Sequence, residues 1–538
     1  MNNMPLRSSK THRKPSVFDR PWLARLALSA VILGAMGLAS YWVFLVPILE
    51  APDEQLHIDY ALNIYSAGRL ISAREPYHAW NTPIPPMQLN VEMVVHVYTR
   101  YLIEASDLKR ILFHPSEKIA AAYAAKGYYS DLDRNAPDEK SGDMDGEPRV
   151  IVSFTTVYPY GYYSLVGAWM GVLGHFSHRL TVLFFGARML SVILLGVSLL
   201  LVHATARELR FGRGRSILLT AIIGFFPLTS FVASYVQPDN LAFTMVMLCA
   251  YLALLVKRRH NKNTLLFLGL SLGLLCVTKY HYYICVLIPI LGMLLACRLG
   301  GSLKGIRWKT LITITFLPTF LLMFVQIWIN YGSRMGPLNP PPGPFGPLRE
   351  ASTGIVTLTH FVWRGLVEGF DNFYMSGTTF TSFWGRFGWM DTPLVIVSAQ
   401  VDDSIRSGIR IFTVVTLALM LIRLGQVVAR LVVVARRGHW RSALHVAFAN
   451  PLLNALLLFT PFMLAVAALL GHAAADQGRN WLPFILPIFL VTMQYAPKAL
   501  PRPANTVLSN ILTVGLTLYC VFGSYYSIQS IIARFYER

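Results

Sequence analysis

Residues 22–60 read WLARLALSAVILGAMGLASYWVFLVPILEAPDEQLHIDY. Their first part, 22–48, is an apolar run, and a helix needs only about 20 such residues to cross a bilayer. An acidic pair, Asp53 and Glu54, follows where the chain leaves the membrane, with His57 one helical turn further on. Carboxylates at a membrane boundary are costly to desolvate and usually have a function or a partner. We therefore expect the function to centre on Asp53.

The composition indicates an all-α polytopic membrane protein. Of the 538 residues, 54% are hydrophobic and only 14% are charged, whereas soluble proteins carry about 25% charged residues. Several further apolar runs are also long enough to span, which leaves no room for a large soluble domain. The five cysteines lie in or at the ends of apolar runs without CxxC spacing, which favours small core residues over disulfides or metal ligands.

The net charge of +20 is concentrated in short basic clusters between apolar runs, as positive-inside insertion requires. This pattern predicts membrane orientation rather than nucleic-acid binding. The clusters placed in the cytoplasm are 7–20, 207–215, 257–262, 298–309, 430–441 and 498–502. The predicted spans are 22–48, 180–205, 216–236, 241–256, 264–279, 282–297, 310–330, 407–434, 445–471, 481–496 and 506–531.

These runs predict about eleven spans, within a range of ten to thirteen. Residues 1–21 form a basic cytoplasmic N-terminus, and 22–538 form a single transmembrane domain whose short C-terminal tail lies outside. Two long hydrophilic loops, 50–150 and 331–405, also lie outside. The apolar segment 151–176 would reverse this topology if it spanned, so its aromatic, proline-broken start favours an interfacial or re-entrant helix.

The charge-derived topology places five unusual polar turns on one side of the membrane. Each has a structural alternative, such as a helix cap, an interfacial anchor, a snorkelling end residue or loop packing. Arg188, inside a span, favours pairing with a buried acid or carbonyl over substrate contact. The candidate residues in these turns are Asp53, Glu54 and His57, then Asp239, then Lys279 and His281, then Trp389 and Asp391, and last Gln477 and Arg479.

Their chemistry suits group transfer from a membrane-borne donor. No P-loop, GxGxxG or HExxH motif is present in a suitable context, and the outer face has no supply of nucleotide sugars. With a polyprenyl-phosphate sugar as donor, Asp53 would be the general base, and Glu54 or His57 would position the acceptor or tune Asp53. The phosphate ligands would be Lys279, His281 and Arg479. Direct displacement assisted by one base predicts inversion at the anomeric carbon.

Aromatic side chains would form the platform for the sugar. The candidates are Tyr158, Tyr160, Trp384 and Trp389.

Three motifs carry a family resemblance. They are Pro52-Asp53-Glu54-x-x-His57, Phe387-Gly388-Trp389-x-Asp391 and Gln477-Gly478-Arg479-x-x-x-Pro483. Together with an acid in the first outer loop, they resemble the GT-C superfamily of membrane glycosyltransferases, and more closely a bacterial family of polytopic proteins assigned to that fold. The resemblance covers about residues 22–495. It implies a GT-C-like helical bundle in which Asp53 is the catalytic acid-base residue.

The expected protein is thus a glycosyltransferase of the bacterial inner membrane, active on the periplasmic face. Its partners would be a polyprenyl-phosphate sugar, a glycan or glycolipid acceptor of the cell envelope, and membrane lipids, with no nucleic acid. No cofactor is expected; a divalent metal near Asp53 and Asp239 is an alternative. A lipid-linked sugar flippase or transporter, and a glycan polymerase using a diphosphate-linked donor, are the competing functions.

Overall fold

A computed structural model gives the fold of the chain. The structure describes residues 20–46, 51–70, 159–177, 180–259, 261–299, 303, 305–331, 378–387, 392–396, 398–439, 478–490, 493 and 501–535. These residues are almost entirely helical, with one two-stranded ribbon in which Arg386 pairs with Pro393 and Phe387 with Thr392. The all-α class is therefore confirmed for the described part of the chain.

The labels that follow number only the described helices and strands. The first seven helices are α1 (Pro21–Leu45), α2 (Glu54–Ala67), α3 (Gly161–Gly174), α4 (Leu180–Glu208), α5 (Arg213–Gly224), α6 (Pro227–Val232) and α7 (Pro238–Arg259). The next are α8 (Lys262–Cys276), α9 (Tyr280–Leu299), α10 (Trp308–Tyr331) and α11 (Thr378–Gly385). The remaining elements are β1 (Arg386–Phe387), β2 (Thr392–Pro393), α12 (Ala399–Arg436), a 3₁₀ helix (Gly478–Phe484), α13 (Ile485–Leu490) and α14 (Arg502–Phe535).

The described helices embed the protein in a membrane. Six of them are long and apolar enough to span, while Lys262–Cys276 is apolar but shorter. The predicted span 445–471 lies outside the described residues, so the total of about eleven spans stays a prediction. The six are Pro21–Leu45, Val182–Glu208, Pro238–Arg259, Tyr282–Leu299, Trp308–Trp328 and Thr506–Ala533.

One predicted span is interrupted. The apolar run 216–236 predicts one continuous helix, but it folds as α5 and the six-residue α6, with the break before Pro227. Proline lacks an N–H donor and disfavours helical backbone at the preceding residue, and Phe226 is accordingly extended. The broken segment is buried and packs against α1 and α4.

The segment 151–176, which would reverse the predicted topology if it spanned the membrane, contains a short helix. Within the described part of 151–176, α3 has 14 residues, a length of about 21 Å, which is less than the hydrocarbon core of about 30 Å. It packs on α2 and α4. By its length, α3 alone does not cross a bilayer. Residues 151–158 lie outside the described residues, so the interfacial or re-entrant placement of the whole segment stays a prediction.

Small residues set the closest helix packing. Gly269 and Gly273 lie four residues apart on α8, facing α10. A side chain at Gly269 would overlap the carbonyl oxygen of Ile314, and one at Gly273 would press on the backbone at Pro318 and Thr319. Small residues at this spacing let membrane helices approach backbone to backbone.

A buried ion pair joins the beginning of the chain to its centre. Arg188 of α4 donates to both carboxylate oxygens of Glu54, at 2.8 and 2.5 Å, and both side chains are fully buried. Arg188 also donates to the carbonyl oxygens of Val43 and Val46 at the end of α1, at 2.8 and 2.7 Å. The N–H of Val236, just before α7, donates to Glu54 at 3.1 Å. The prediction that Arg188 pairs with a buried acid and carbonyls is confirmed.

Replacing Arg188 by methionine tests how much the protein is destabilised when this ion pair is broken. Arg188→Met leaves the Glu54 carboxylate buried without a counter-charge, and removing one partner of a buried pair costs about 3–5 kcal/mol. The thermal unfolding midpoint in detergent, followed by tryptophan fluorescence, should fall clearly. In the control Arg258→Met, which breaks the exposed pair with Glu208, the cost should stay below about 1 kcal/mol. Equal midpoints for the two variants would contradict this assignment.

Candidate active site

Four charged side chains from distant parts of the chain meet in one cluster, here called the charged cluster. Asp53 lies between α1 and α2, Asp239 in the first turn of α7, Lys279 directly before α9, and Arg479 in the 3₁₀ helix. Arg479 forms an ion pair with Asp53, and Lys279 forms one with Asp239. A second nitrogen of Arg479 lies 4.0 Å from Asp239, which links the two pairs. Four predicted site residues are thus brought together.

Asp53 occupies an unusual backbone conformation. It has φ 59° and ψ 9°, in the left-handed region, and it holds the N-cap position of α2 without capping through its side chain. Apart from glycines, only Asp53 and Arg210 show positive φ among the described residues. Strained backbone is retained where the surroundings enforce it, and it concentrates at functional sites. The side chain is turned from helix capping towards Arg479.

Asp53 is also the most open member of the charged cluster. Its side chain is 31% exposed, against 11% for Arg479, 10% for Lys279 and none for Asp239. Asp53 is therefore the most accessible of the four side chains, and both cations are more buried than it is. The remaining contacts of the cluster hold those cations in place.

Arg479 uses its whole guanidinium fork. Besides Asp53, it donates to the carbonyl oxygen of Pro52 at 3.0 Å and to the side-chain oxygen of Gln237 at 3.1 Å. The backbone N–H of Gly478 donates to the Ser382 hydroxyl at 2.7 Å, which anchors the 3₁₀ helix on α11. A side chain at position 478 would overlap the backbone of α11, so glycine is required directly before Arg479.

The Lys279–Asp239 pair is enclosed by polar partners. The Tyr282 hydroxyl donates to Asp239 at 3.0 Å, the Gln237 amide also donates to it, and Lys279 lies 3.5 Å from the Asn480 side-chain oxygen. Gln237 therefore bridges both halves of the cluster, accepting from Arg479 and donating to Asp239. Buried charges persist only when paired and hydrogen-bonded in this way.

The pKa values of the cluster residues are shifted by burial and by the neighbouring charges. Burial raises the pKa of the Asp53 carboxyl, but the charge and hydrogen bond of Arg479 together with other nearby charges outweigh it, so the net pKa lies below its ordinary value. Burial lowers the pKa of Lys279, and Asp239 only partly offsets this. Asp53 is a carboxylate at neutral pH, and the two acids and two cations sum to no net charge.

His57 lies beside the cluster as a neutral group. Its Nδ1 is hydrogen-bonded to the Tyr163 hydroxyl at 2.8 Å, and the two rings lie 5.9 Å apart. Burial lowers the pKa of His57 to about 3. An uncharged imidazole can donate or accept a hydrogen bond but adds no charge for a phosphate.

Glu54 is held by structural partners and is closed to solvent. Both its oxygens are held by Arg188, one also accepts from Val236, and the side chain is fully buried. A carboxylate without exposed oxygen has no access to a reactant. We assign Glu54 to the support of Asp53, its neighbour in sequence.

Several predicted residues lie outside what the structure describes. They are Trp389, Asp391 and Gln477, together with Tyr158 and the side chain of His281, whose backbone belongs to α9. Trp384, a candidate sugar platform, is instead buried among Phe226, Phe383 and Tyr519. Tyr160 donates its N–H to Gln326 at 2.9 Å.

Some partners were missed from the sequence. Tyr282 and Tyr163 belong to tyrosine-rich runs that resemble interfacial belts, and Asn480 follows Arg479 directly. Helical spacing could have identified Tyr282, which lies three residues after Lys279, but nothing local marks Tyr163 as a partner of His57. Among the described residues, no group of three or more His, Cys, Asp or Glu side chains could hold a metal ion.

A known protein family matches a range of the chain that includes this whole site. The family described as predicted membrane protein (DUF2142) matches residues 36–488. The chain belongs to this family. The DUF2142 match includes all four members of the charged cluster and both residues of the Arg188–Glu54 pair, while α14 lies beyond it. No curated protein and no solved structure matches the chain.

The buried His57 predicts a pH-dependent stability. Its pKa is about 3 in the folded protein and about 6.5 in an unfolded chain, so between these values the unfolded state binds the extra proton. The free energy of unfolding should therefore fall as the pH drops from about 6.5 towards 3. His57→Asn removes the titrating group but keeps a hydrogen-bonding partner for Tyr163.

Thermal midpoints of both proteins, compared at about pH 7.5 and about pH 4.5, measure this contribution. The wild type should lose more stability on acidification than His57→Asn. Identical losses would show that His57 is not buried as described.

Proposed function

We propose that this DUF2142 protein is a glycosyltransferase that moves a sugar from a polyprenyl-phosphate donor to a glycan or lipid acceptor of the cell envelope. We place the protein in the bacterial inner membrane, as a GT-C-like bundle of about eleven spans with the charged cluster on the periplasmic face. The acceptor would enter from the predicted outer loops 50–150 and 331–405. The product would serve cell-envelope polysaccharide biosynthesis.

One observation supports the proposal: a partly exposed carboxylate shares a cluster with two less exposed cations, just after a helix long and apolar enough to span a membrane. Asp53 has a strained backbone and is partly exposed, while Arg479 and Lys279 are less exposed. A phosphate-linked sugar requires these two functions side by side, since the acceptor must lose a proton and the leaving phosphate gains negative charge.

The proposed reaction is a single displacement. The acceptor hydroxyl oxygen forms a bond with the anomeric carbon while its proton passes to the Asp53 carboxylate. The bond between the anomeric carbon and the phosphate oxygen breaks, and its electron pair stays on the polyprenyl phosphate. The configuration at the anomeric carbon inverts. Arg479 stabilises the departing phosphate through its guanidinium fork, and Lys279 does so as a point charge.

The Asp53–Arg479 ion pair implies that donor binding precedes activation of the base. In the described structure Arg479 is occupied by Asp53, so a phosphate that binds Arg479 competes with that carboxylate. When Arg479 turns to the phosphate, Asp53 loses the interaction that lowers its pKa and becomes a stronger base. Donor binding would thereby activate the residue that deprotonates the acceptor.

Asp53→Asn is the direct test of the base. Asparagine keeps the size of the side chain and tolerates the left-handed backbone, but it accepts no proton at neutral pH. Transfer of labelled sugar from a polyprenyl-phosphate donor by purified protein should fall by a factor of about 100 or more. Glu208→Gln, which alters an acid paired with Arg258 elsewhere, should retain activity.

Normal transfer by folded Asp53→Asn protein would reject the assignment. Movement of the lipid across the bilayer without any transfer would support a flippase instead.

Arg479→Lys tests the phosphate ligand. Lysine keeps the charge but loses the fork that contacts Pro52, Gln237 and Asp53. Lysine also cannot offer the phosphate two parallel N–H donors. A charge-assisted hydrogen bond lost to the phosphate costs about 1.5–3 kcal/mol, so KM for the donor should rise about tenfold or more. The exposed control Arg258→Lys should behave as wild type, and an unchanged donor KM in Arg479→Lys would exclude Arg479 as a phosphate ligand.

A further inference from the structure

The helices α7 to α10 carry an excess of positive charge at one end of their bundle. No Asp or Glu occurs in the sequence between Asp239 and Glu350. These helices are joined by short connections and pack on one another, so the ends of α7 and α9 lie on the same side as the starts of α8 and α10. The basic residues at these ends and in their connections are Lys257, Arg258, Arg259, Lys262, Arg298, Lys304, Arg307 and Lys309.

Only part of this positive charge has an acidic partner. Arg258 pairs with Glu208 at the end of α4, at 2.9 Å. Among the described residues, no acidic side chain pairs with Arg298, Arg307 or Lys309. Arg307 and Lys309 are both exposed. The three cations where α9 meets α10 are therefore open to an anion from outside the chain.

The connection between α9 and α10 brings the ends of the two helices together. The N–H of Leu303 donates to the carbonyl oxygen of Cys297 at 3.3 Å, and the side chains of Leu303 and Ile306 are buried. The guanidinium carbon of Arg298 lies 5.5 Å from the centre of the Trp308 ring, in cation–π range. The Nε of Arg298 is buried without a hydrogen-bond partner among the described residues.

We call the site formed by Arg298, Arg307, Trp308 and Lys309 the basic junction. Its cations are held at one place by the fold of the connection and by the contact of Arg298 with Trp308. The junction is therefore more specific than the diffuse basic charge that orients a membrane protein.

Exposed apolar side chains continue from the basic junction along both helices. Leu295 lies three residues before Arg298 on α9, and Ile312 lies four residues after Trp308 on α10, so each shares a helix face with its neighbour. Leu295 is 36% exposed, Ile312 55% and Trp308 43%. A tryptophan between cations and an apolar surface is typical of a membrane interface. The site thus offers charge to a headgroup and apolar surface to an acyl chain.

The basic junction is far from the charged cluster. Lys279 lies directly before α9 and Arg298 near its end, and the 20 residues of this helix span about 30 Å. This is the thickness of the hydrocarbon core, about 30 Å, so the two sites lie at opposite faces of the membrane. In the predicted topology, 298–309 faces the cytoplasm, where the leaflet carries anionic lipids.

We propose that the basic junction binds an anionic phospholipid of the cytoplasmic leaflet. Its phosphate is held by Arg298, Arg307 and Lys309, since basic pockets between membrane helices on this side bind anionic headgroups. One acyl chain lies on Leu295 and Ile312. A zwitterionic lipid would leave these cations uncompensated, and a nucleic acid or acidic peptide would not use the apolar faces. The inference does not depend on the proposed glycosyltransferase function.

Native mass spectrometry of the delipidated full-length protein tests this site, with phosphatidylglycerol and phosphatidylethanolamine as probes. The wild type should retain phosphatidylglycerol in preference to phosphatidylethanolamine. Arg298→Gln should weaken phosphatidylglycerol binding about fivefold, the effect of one cation near an anionic surface, and leave phosphatidylethanolamine binding unchanged. The matched control Arg258→Gln removes a cation on the same side that is already paired with Glu208, and it should bind as wild type.

A double variant guards against misfolding of Arg298→Gln. Arg307→Gln combined with Lys309→Gln changes only exposed side chains, so the protein should fold as wild type. Its phosphatidylglycerol binding should fall about 20-fold, because two cations are lost. Unchanged binding by this folded double variant would reject the site.

Three further results would overturn the proposal. Equal losses in Arg258→Gln and Arg298→Gln would show that any cation on this side contributes alike. Displacement of phosphatidylglycerol by equimolar undecaprenyl phosphate would make a lipid carrier the occupant. Displacement by soluble glycerol phosphate would show that the acyl chain contributes nothing.

Discussion

The buried pair of Arg188 and Glu54 is the constraint on which the site depends. It ties the end of α1, the start of α2, the middle of α4 and the turn before α7 at one point, without access to water. A charge pair this deep contributes little net stability compared with apolar packing, yet breaking it is costly. Its effect is positional, because Asp53 is the residue next to Glu54 and is held there in left-handed backbone.

The charged cluster next to this ion pair is composed so that an anionic ligand can take the place of one of its carboxylates. Two acids satisfy two cations, so no unpaired charge is left in a buried setting. An anionic ligand must replace a carboxylate to reach either cation, and the exposed Asp53 is easier to displace than the fully buried Asp239. The cluster is therefore asymmetric: the Lys279–Asp239 half is fixed by Tyr282 and Gln237, while the Arg479–Asp53 half contains its most exposed side chain.

Sequence reasoning reached the membrane class, the position of Asp53 and the grouping of Asp239, Lys279 and Arg479, because membrane insertion leaves a charge pattern that sorts polar turns to one side. It could not separate Glu54 from Asp53, since adjacent acids look alike until their partners are known, and the partner of Glu54 lies 134 residues away. It also read 216–236 as one span, although Pro227 was there to indicate the break. Tyr163 and Asn480 could not be found, because contacts between distant elements leave no local pattern.

The central claim is that Asp53 becomes the base when a lipid phosphate takes Arg479 from it. A structure of the protein with a bound polyprenyl-phosphate sugar tests this most directly. The account predicts that Arg479 and Lys279 contact the phosphate and that the Asp53 carboxylate, released from Arg479, faces the anomeric carbon. A donor bound elsewhere, with the Asp53–Arg479 ion pair intact, would contradict it.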